Sequence, residues 1–468
     1  MGGLTPGLPP TEGNLGMVGE EVVGPAPFGW EYKTLGAACK EGGGDIQTGP
    51  FGSQLHASDY VSIGVPSIMP QNIGDNRISD DGIARISPAD AERLSRYLVR
   101  TGDIVYSRRG DVERRALVRD HENGWLCGTG CLRVRLGEKG ADPRYVSYYL
   151  GHPDVREWVV RHAHGATMPN LNTSILGACP FLVPPLPEQR AIAHILGTLD
   201  DKIELGRRMS ETLEAMARAL FKSWFVDFDP ARAKAEGRDP GLPKPLADLF
   251  PARFVDSELG EIPEGWQVGT FGDVVEQLRD SENPLESPDF EFRHFSIPAF
   301  DEGRWPKREI GGNIKSLKSR VPAGVILLSK LNPEIERVWL VDVQPGDRAI
   351  CSTEFLVLAP RLAHGRSYVY CLARSPQFRQ ELEGLVTGTS KSHQRAQVGS
   401  ILGLSVVRPP EKLLNRFEVV AEPLLARTLA RRSESRMLAA LRDALLPKLI
   451  SGELRVKDAE ALLGRLVR

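Results

Sequence analysis

What this chain most lacks is an excess of charge of either sign. Its 59 Lys and Arg are balanced by 61 Asp and Glu, leaving a formal net charge of −2. That argues against a protein that grips nucleic acid through bulk charge alone, but leaves room for local basic loops. No run of about 18 apolar residues occurs, so no membrane span is expected. The six cysteines (Cys39, Cys127, Cys131, Cys179, Cys351, Cys371) are dispersed, which fits a reducing cytoplasm and not a disulfide scaffold. Cys127 and Cys131 flank Gly-Thr-Gly, but no second Cys or His pair stands at matching spacing. Small residues in a buried strand are the expected reading, with no metal.

Catalytic signatures are missing as well. No Gly-Lys-Ser/Thr phosphate loop appears, so no ATP-driven motor is encoded. Two double prolines occur, in Val183-Pro184-Pro185-Leu186 and Arg408-Pro409-Pro410-Glu411. Both lack the amide or carboxylate before and the aromatic after that an amino-methyltransferase uses to hold a flipped base. Asp200-Asp201-Lys202 imitates a nuclease's acidic pair with lysine, yet it lies in a long helical stretch, where a solvated charge pair is expected. No Ser-His-Asp or Cys-His set is supported by spacing. The chain reads as no enzyme by itself.

What is present is said nearly twice. Tyr145-Val146-Ser147-Tyr148-Tyr149-Leu150-Gly151-His152-Pro153 reappears as Tyr368-Val369-Tyr370-Cys371-Leu372-Ala373-Arg374-Ser375-Pro376. Gly102 to Ser107 answers Gly324 to Ser329, Gly165-Ala166-Thr167 answers Gly388-Thr389-Ser390, and Pro184-Pro185 answers Pro409-Pro410. A period above 200 residues is far longer than a solenoid unit and means two copies of one domain-plus-helix module. Within the first copy, short β-like runs (Val61 to Met69, Gly102 to Tyr106, Cys131 to Leu136) alternate with turns, and helices are predicted over Pro143 to Leu150 and Pro153 to His162.

Each copy ends in a long helix. Over Pro187 to Phe225, Ile192, Leu199, Leu213 and Leu220 recur at multiples of seven, with Leu196, Ile203, Met209, Met216 and Trp224 beside them. In the second copy Phe417, Leu424, Leu438 and Leu445 share one heptad position, with Val420, Leu441 and Leu449 near the other; Gly206 and Arg431 interrupt the two seams. A heptad seam this long needs a partner helix, and the two are expected to pair antiparallel. The fold class expected is α/β (α+β): two similar globular domains separated by two long antiparallel coiled-coil helices, with pseudo-twofold symmetry. The expected boundaries are a disordered tail over 1–27 without signal-peptide character, a domain over 28–185, a helix over 186–228, a proline-rich linker over 229–261, a domain over 262–410, a helix over 411–452 and a tail over 453–468.

Several phrases carry a family resemblance. They are Thr48-Gly49-Pro50-Phe51-Gly52-Ser53, Gly102-Asp103-Ile104-Val105-Tyr106-Ser107-Arg108-Arg109-Gly110 and Pro184-Pro185-Leu186-Pro187-Glu188-Gln189-Arg190. Phe221 to Pro230, Ser257 to Pro263 and Leu446 to Leu454 belong with them. In this order and duplication, over about residues 28 to 455, the chain resembles the specificity subunit of type I restriction–modification enzymes. The second copy departs from the pattern: Ser329-Lys330-Leu331-Asn332-Pro333 lacks Arg-Arg-Gly, and Glu411-Lys412-Leu413-Leu414 replaces Leu-Pro-Glu-Gln. The resemblance implies two target recognition domains that each read one half of a split site on double-stranded DNA. It implies two bound modification (methyltransferase) subunits, which carry S-adenosylmethionine, and optionally two restriction subunits, which carry ATP and Mg. No cofactor is expected in this chain, and a cytoplasmic location is.

Base reading calls for amides or arginine forks, and phosphate positioning for Lys, Arg or backbone N–H. In the first copy Gln47, Thr48, Gly49 and Ser53 form a small polar loop, and Gln71 and Asn72 are adjacent amides. Arg108, Arg109, Arg114 and Arg115 cluster after a strand, and Asn170 and Asn172 sit in a turn-prone loop. The second copy offers Arg293, His294, Lys330, Asn332, Arg337 and the run Lys391-Ser392-His393-Gln394-Arg395. Each also has a bland reading, because Asn near Gly forms turns and arginine runs are usually solvated. A different class of function stays open on the residues alone: a coiled-coil scaffold that joins protein partners and reads no DNA.

Overall fold

A computed structural model describes residues 14–165, 169–344, 346–362, 365–386 and 394–466. The chain divides into two compact units, 1–204 with 435–468, and 205–434. Each is therefore built from a domain, part of one long helix and part of the other.

The first unit is organised around a four-stranded antiparallel sheet in the order Asp45–Thr48, Cys131–Arg135, Ile104–Ser107, Arg115–Leu117. Ile104, Val105, Tyr106 and Ser107 are all buried, as expected for a central strand with both faces covered. A second four-stranded sheet holds Tyr60–Val61, Ala84–Ile86, Val65–Ile68 and Leu126–Cys127. Asp142 then opens helix Pro143–Tyr149 by accepting from the backbone N–H of Arg144 and Tyr145, with Pro143 in the first turn, where no N–H is needed. Tyr145 and Tyr149 are fully buried; their hydroxyls donate to the carbonyls of Leu182 and Pro180, at 2.9 Å each. These bonds tie the helix to the ribbon in which Glu31–Thr34 pairs with Pro180–Val183.

The second unit repeats this plan. Its sheet runs Val275–Leu278, Phe355–Pro360, Ile326–Ser329, Val338–Leu340, and its ribbon pairs Gln267–Thr270 with Ser405–Arg408. Tyr368, the copy of Tyr145, donates to the carbonyl of Val407 at 2.7 Å. Its other sheet has five strands, with Ser281–Glu282, Lys318–Arg320, Ala349–Cys351, Glu291–Phe295 and Lys307–Ile310 in that order.

The long helices are Leu186–Phe225 and Glu411–Ile450, 40 residues each. In the first unit Ile192, Leu196 and Leu199 share a core with Leu445, Leu446, Leu449 and Ile450. In the second, Ala217, Phe221, Trp224 and Phe225 share one with Leu413, Phe417, Ala421 and Leu425. The start of each helix thus meets the end of the other, an antiparallel pairing. The heptad reading needs correction in detail. Met216 and Val420 are exposed, at 51 % and 45 %, while Ile203, Leu213, Leu220, Leu424 and Leu438 are half-buried. A straight helix drifts about 20° per heptad away from a strict seven-residue repeat, so the apolar stripe slides onto neighbours such as Ala421 and Leu425.

Three segments expected to be tail or linker are folded. Leu15–Val23 is a helix, with Val22 and Val23 packed into the first core; residues 1–13 lie outside the described residues. Asp229–Ala235 is a helix, Phe254–Ser257 pairs with Gly260–Pro263, and Phe250 is 1 % exposed in the second core. Val456–Leu466 is a helix that buries Ala459. Proline density hid the burial, because Ala231, Ala233 and Phe250 are too few and too spread to form a periodic signal. Among the described residues no helix is long and apolar enough to cross a membrane.

Candidate nucleic-acid interface

Strand register brings the candidate loops of the first unit to one end of its main sheet. Thr48 lies opposite Leu132 and Ser107 opposite Cys131, so the loops after Thr48 and Ser107 and the turn before Cys131 emerge together. Gly49 is required there: a Cβ would sit 2.1 Å from the carbonyl oxygen of Gly128. The Arg108 backbone N–H donates to the carbonyl of Gly130 at 2.8 Å, and its guanidinium carbon lies 6.0 Å from the centre of the exposed Phe51 ring. The Ser107 hydroxyl donates to the carbonyl of Arg109 at 3.0 Å, closing the corner. The third wall is the segment at 169–171: Gly110 N–H donates to Pro169 O at 3.1 Å and Leu171 N–H to Arg108 O at 2.8 Å.

Thr48, Gly49, Arg108, Arg109 and Asn170 are therefore brought together, with Arg114 beside Ser107 through its backbone carbonyl; Gln47 lies one residue inside the strand, opposite Arg133, and Ser53 is exposed four residues beyond Gly49. Pro70 lies against Gly130, which brings the exposed Gln71 to the same edge. Arg109 is exposed, and the Arg108 Nε and the Asn170 Oδ1 hydrogen-bond to none of the described residues. Arg114 is half neutralised by Asp111 at 2.5 Å. Guanidinium groups, an amide and an exposed phenyl ring on a backbone-locked platform form a set that can contact phosphates and base edges.

Three expected residues are turned to structural work. Arg115 is 4 % exposed; its Nε donates to Ser147 O at 3.0 Å and Nη1 faces Asp75 at 3.5 Å, while burial lowers its pKa. It sits on a strand, where side chains alternate faces, and its face is the one covered by helix Pro143–Tyr149. Asn72 is buried, and its Oδ1 accepts from the N–H of Met69 at 3.0 Å. Asn172 caps helix Thr173–Gly177 by accepting from Ile175 N–H at 2.8 Å.

The second unit reproduces the corner bond for bond. The Ser329 hydroxyl donates to Leu331 O at 3.0 Å, Ser329 N–H to Arg337 O at 3.0 Å, Lys330 N–H to Glu354 O at 3.0 Å, Asn332 N–H to Gln394 O at 2.8 Å and Ala396 N–H to Lys330 O at 3.0 Å. Lys330, Asn332, Gln394 and Arg395 share this rim; Lys391, Ser392 and His393 lie outside the described residues. Asn332 takes the place of Gly110, and both are left-handed, at φ +48° and +74°. Its Oδ1 is buried without a partner among the described residues. Arg395 is held by Glu354 through bonds of 2.9 to 3.1 Å.

Arg337, Arg293 and His294 need correction. Arg337 is 7 % exposed and clamped two-fold by Asp301 at 2.8 Å each, the planar fork-to-carboxylate geometry of a structural pair. Arg293 and His294 belong to strand Glu291–Phe295 of the five-stranded sheet, not to the corner; Arg293 pairs with Asp347 and His294 with Glu309. Burial holds the His294 pKa below its usual value in spite of Glu309.

Sequence reasoning passed over Phe51, though it stands inside a quoted motif, and Glu354, which no local pattern announces. It also misread Asp200. That carboxylate is 6 % exposed, accepting from the Tyr148 hydroxyl at 2.6 Å and from Arg442 at 2.7 Å, so it is a buried anchor of the helices and not a solvated charge. The signal lay in the tyrosine and arginine far away in sequence. Cys127 and Cys131 are buried thiols whose pKa values burial raises.

Comparison with known proteins agrees with these features. Residues 29–215 match the family model "Type I restriction modification DNA specificity domain". The MjaIX specificity subunit of Methanocaldococcus jannaschii is 23 % identical over 449 residues, covering 94 % of this chain and 96 % of that one. The HindI specificity subunit of Haemophilus influenzae is also 23 % identical, over 83 % of this chain and 95 % of its own. A crystal structure of the S subunit of a type I restriction–modification system from M. genitalium shares the fold, with a TM-score of 0.56 at 14 % identity over 90 % of this chain and 96 % of that one. The duplicated domain-plus-helix module, the paired long helices and these relatives agree: residues 29–215 match a type I restriction–modification DNA specificity domain, and over most of its length the chain is similar to the specificity subunits of such systems.

Proposed function

We propose that each unit reads one half of a bipartite double-stranded DNA site through the loop corner at the end of its main sheet, and that the chain places modification subunits, and restriction subunits where present, on that site. The carrying observation is that the two corners share one hydrogen-bond frame but present different side chains. The first offers Arg108, Arg109 and Asn170; the second offers Lys330, Asn332 and Arg395. A shared frame with divergent tips suits two readers of different half-sites, since backbone placement is common to both and base contacts are not. Arg108 and Arg109 are assigned to phosphate or guanine, Gln71 and Asn170 to adenine-type edges, and Phe51 to an apolar base contact. The modification subunits would supply S-adenosylmethionine and the restriction subunits ATP and Mg; this chain supplies position.

A genome-wide methylation map tests the reading, comparing cells that carry this chain and its modification subunit with cells lacking this chain. A new split motif that depends on the chain is expected. Exchange of residues 262–410 for those of a relative is expected to change one half of that motif and leave the other. An unchanged map from an assembled complex would favour the scaffold alternative.

A further inference from the structure

The turn that closes the corner differs between the two copies, and so does the residue that faces it. In the first unit the turn is Cys127-Gly128-Thr129-Gly130-Cys131; in the second it is Cys351-Ser352-Thr353-Glu354-Phe355. The backbone frame sets the correspondence. Arg108 N–H donates to Gly130 O as Lys330 N–H donates to Glu354 O, and Cys131 N–H to Gly128 O as Phe355 N–H to Ser352 O. Arg109 is bridged to Asn170 as Leu331 is to Arg395. Glu354 therefore stands where the first copy has Gly130, and Arg395 where it has Asn170.

These two side chains grip one another. Arg395 Nε donates to Glu354 Oε1 at 3.1 Å and to Oε2 at 3.0 Å, and Nη2 donates to Oε1 at 2.9 Å. The Arg395 side chain is still 53 % exposed. An exposed ion pair adds little to stability; what this one fixes is orientation. A guanidinium carries five N–H donors in one rigid plane. Glu354 takes the Nε side of that plane and leaves the Nη1–Nη2 edge, with one N–H from each nitrogen, to a ligand. Two parallel donors match O6 and N7 of guanine, the pair an arginine fork reads in the major groove. A phosphate is the poorer ligand here, because Glu354 both offsets the charge of the arginine and repels a second anion.

We propose that Arg395 reads one guanine in the half-site of the second unit, and that Glu354 is the positioning residue that presents its outer edge to the base. This assignment rests on the reading that the corner contacts DNA, and deepens it by giving one base to one side chain. The first unit has Gly130 and Asn170 at these places, so it carries neither the guanidinium nor the carboxylate that would hold it. Glu354 acts through Arg395 and needs no contact with DNA of its own.

The test uses the full-length chain assembled with its modification subunit. The complex selects from duplex DNA randomised across the half-site that exchange of residues 262–410 alters; bound duplexes are sequenced, and binding is titrated against salt. The parent chain is expected to require guanine at one position of that half-site. Arg395→Ala should lower the preference for that guanine about fivefold, leaving the other positions and the other half-site as they were. Glu354→Gln keeps the shape but removes the charge, so the same position should relax about threefold. Its binding to unrelated duplex should tighten, with the salt slope rising by up to about one, because the freed guanidinium reaches a phosphate. A purely structural glutamate would tighten nothing. Base preference unchanged by both variants overturns the proposal, as does a blur across the whole half-site. So does a salt slope lowered by about one in Arg395→Ala with the preference intact, the mark of a phosphate contact. If exchange of 262–410 leaves the selected sequences unchanged, DNA reading by this corner fails, and the guanine assignment falls with it.

Discussion

The two units fasten the same tyrosine-bearing helix to the long helices by different chemistry. In the first, the Tyr148 hydroxyl and Arg442 converge on Asp200, and Arg442 reaches on to Asp75 at 3.4 Å. In the second, Glu214 gathers the Tyr370 hydroxyl, Arg374, Arg432 at 2.5 Å and Arg304 at 3.7 Å. Burial and the charges of Arg432 and Arg379 push the Arg374 pKa down to about 10, so the cation depends on its carboxylate neighbours. In the second unit one buried acid thus gathers most of the cations, with Glu336 sharing only Arg374 at 2.5 Å, whereas the first spreads Arg442 over Asp200, Asp75 and Asp443. Duplication preserved the frame while the polar anchors diverged, which shows that backbone geometry and not any one ion pair defines the module.

Removing Glu214 should be the most damaging change. Glu214→Ala strands several cations, and a loss of about 3–5 kcal/mol in unfolding free energy is expected. Hydrogen exchange should show the loosening over Arg366–Ala373, the helix that carries Tyr370 and abuts Arg374. Asp200→Ala should cost less, about 2 kcal/mol, because Arg442 keeps Asp75 and Asp443; its exchange signature belongs at Pro143–Tyr149. Equal losses would break the contrast between the two anchors.

The corners make a subtler comparison. Arg109→Ala should weaken DNA binding about tenfold and reduce the salt slope by about one, as loss of a phosphate contact does. Arg395→Ala in the second corner should do less, since Glu354 already holds that guanidinium. Arg115→Ala, by contrast, should lower stability and leave the salt slope alone; a titration of binding against salt for all three variants separates these roles. Smallest of all is the left-handed residue. Gly110→Ala should cost about 1 kcal/mol, the steric penalty of a Cβ in that conformation. Asn332→Gly should stay within about 0.5 kcal/mol of the parent chain, measured by denaturant unfolding.

Much of the architecture was legible because its signals are local or periodic. The repeated Tyr145 and Tyr368 segments announced two modules, and the apolar stripes of 186–225 and 411–450 announced long paired helices. The candidate site was legible only in part. Arg108 and Arg109 follow the strand that ends at Ser107, and their neighbours place them in a loop, half-buried and exposed respectively, beside the buried Gly49. Arg115 and Arg337 look the same on the page, yet Ser147 and Asp301, distant in sequence, draw them inward. Asn72 and Asn172 carry the amides a base reader needs, but each serves a nearby backbone N–H instead.

The sequence by itself determined the duplication, the helix pair and the positions of the loops, because hydrophobic period and turn residues act over a few neighbours. Only the tertiary structure decided which charged side chains face solvent and which are buried. Burying a charge is tolerable only beside a specific partner, and those partners come from residues tens to hundreds of positions away, brought close by strand register and helix packing.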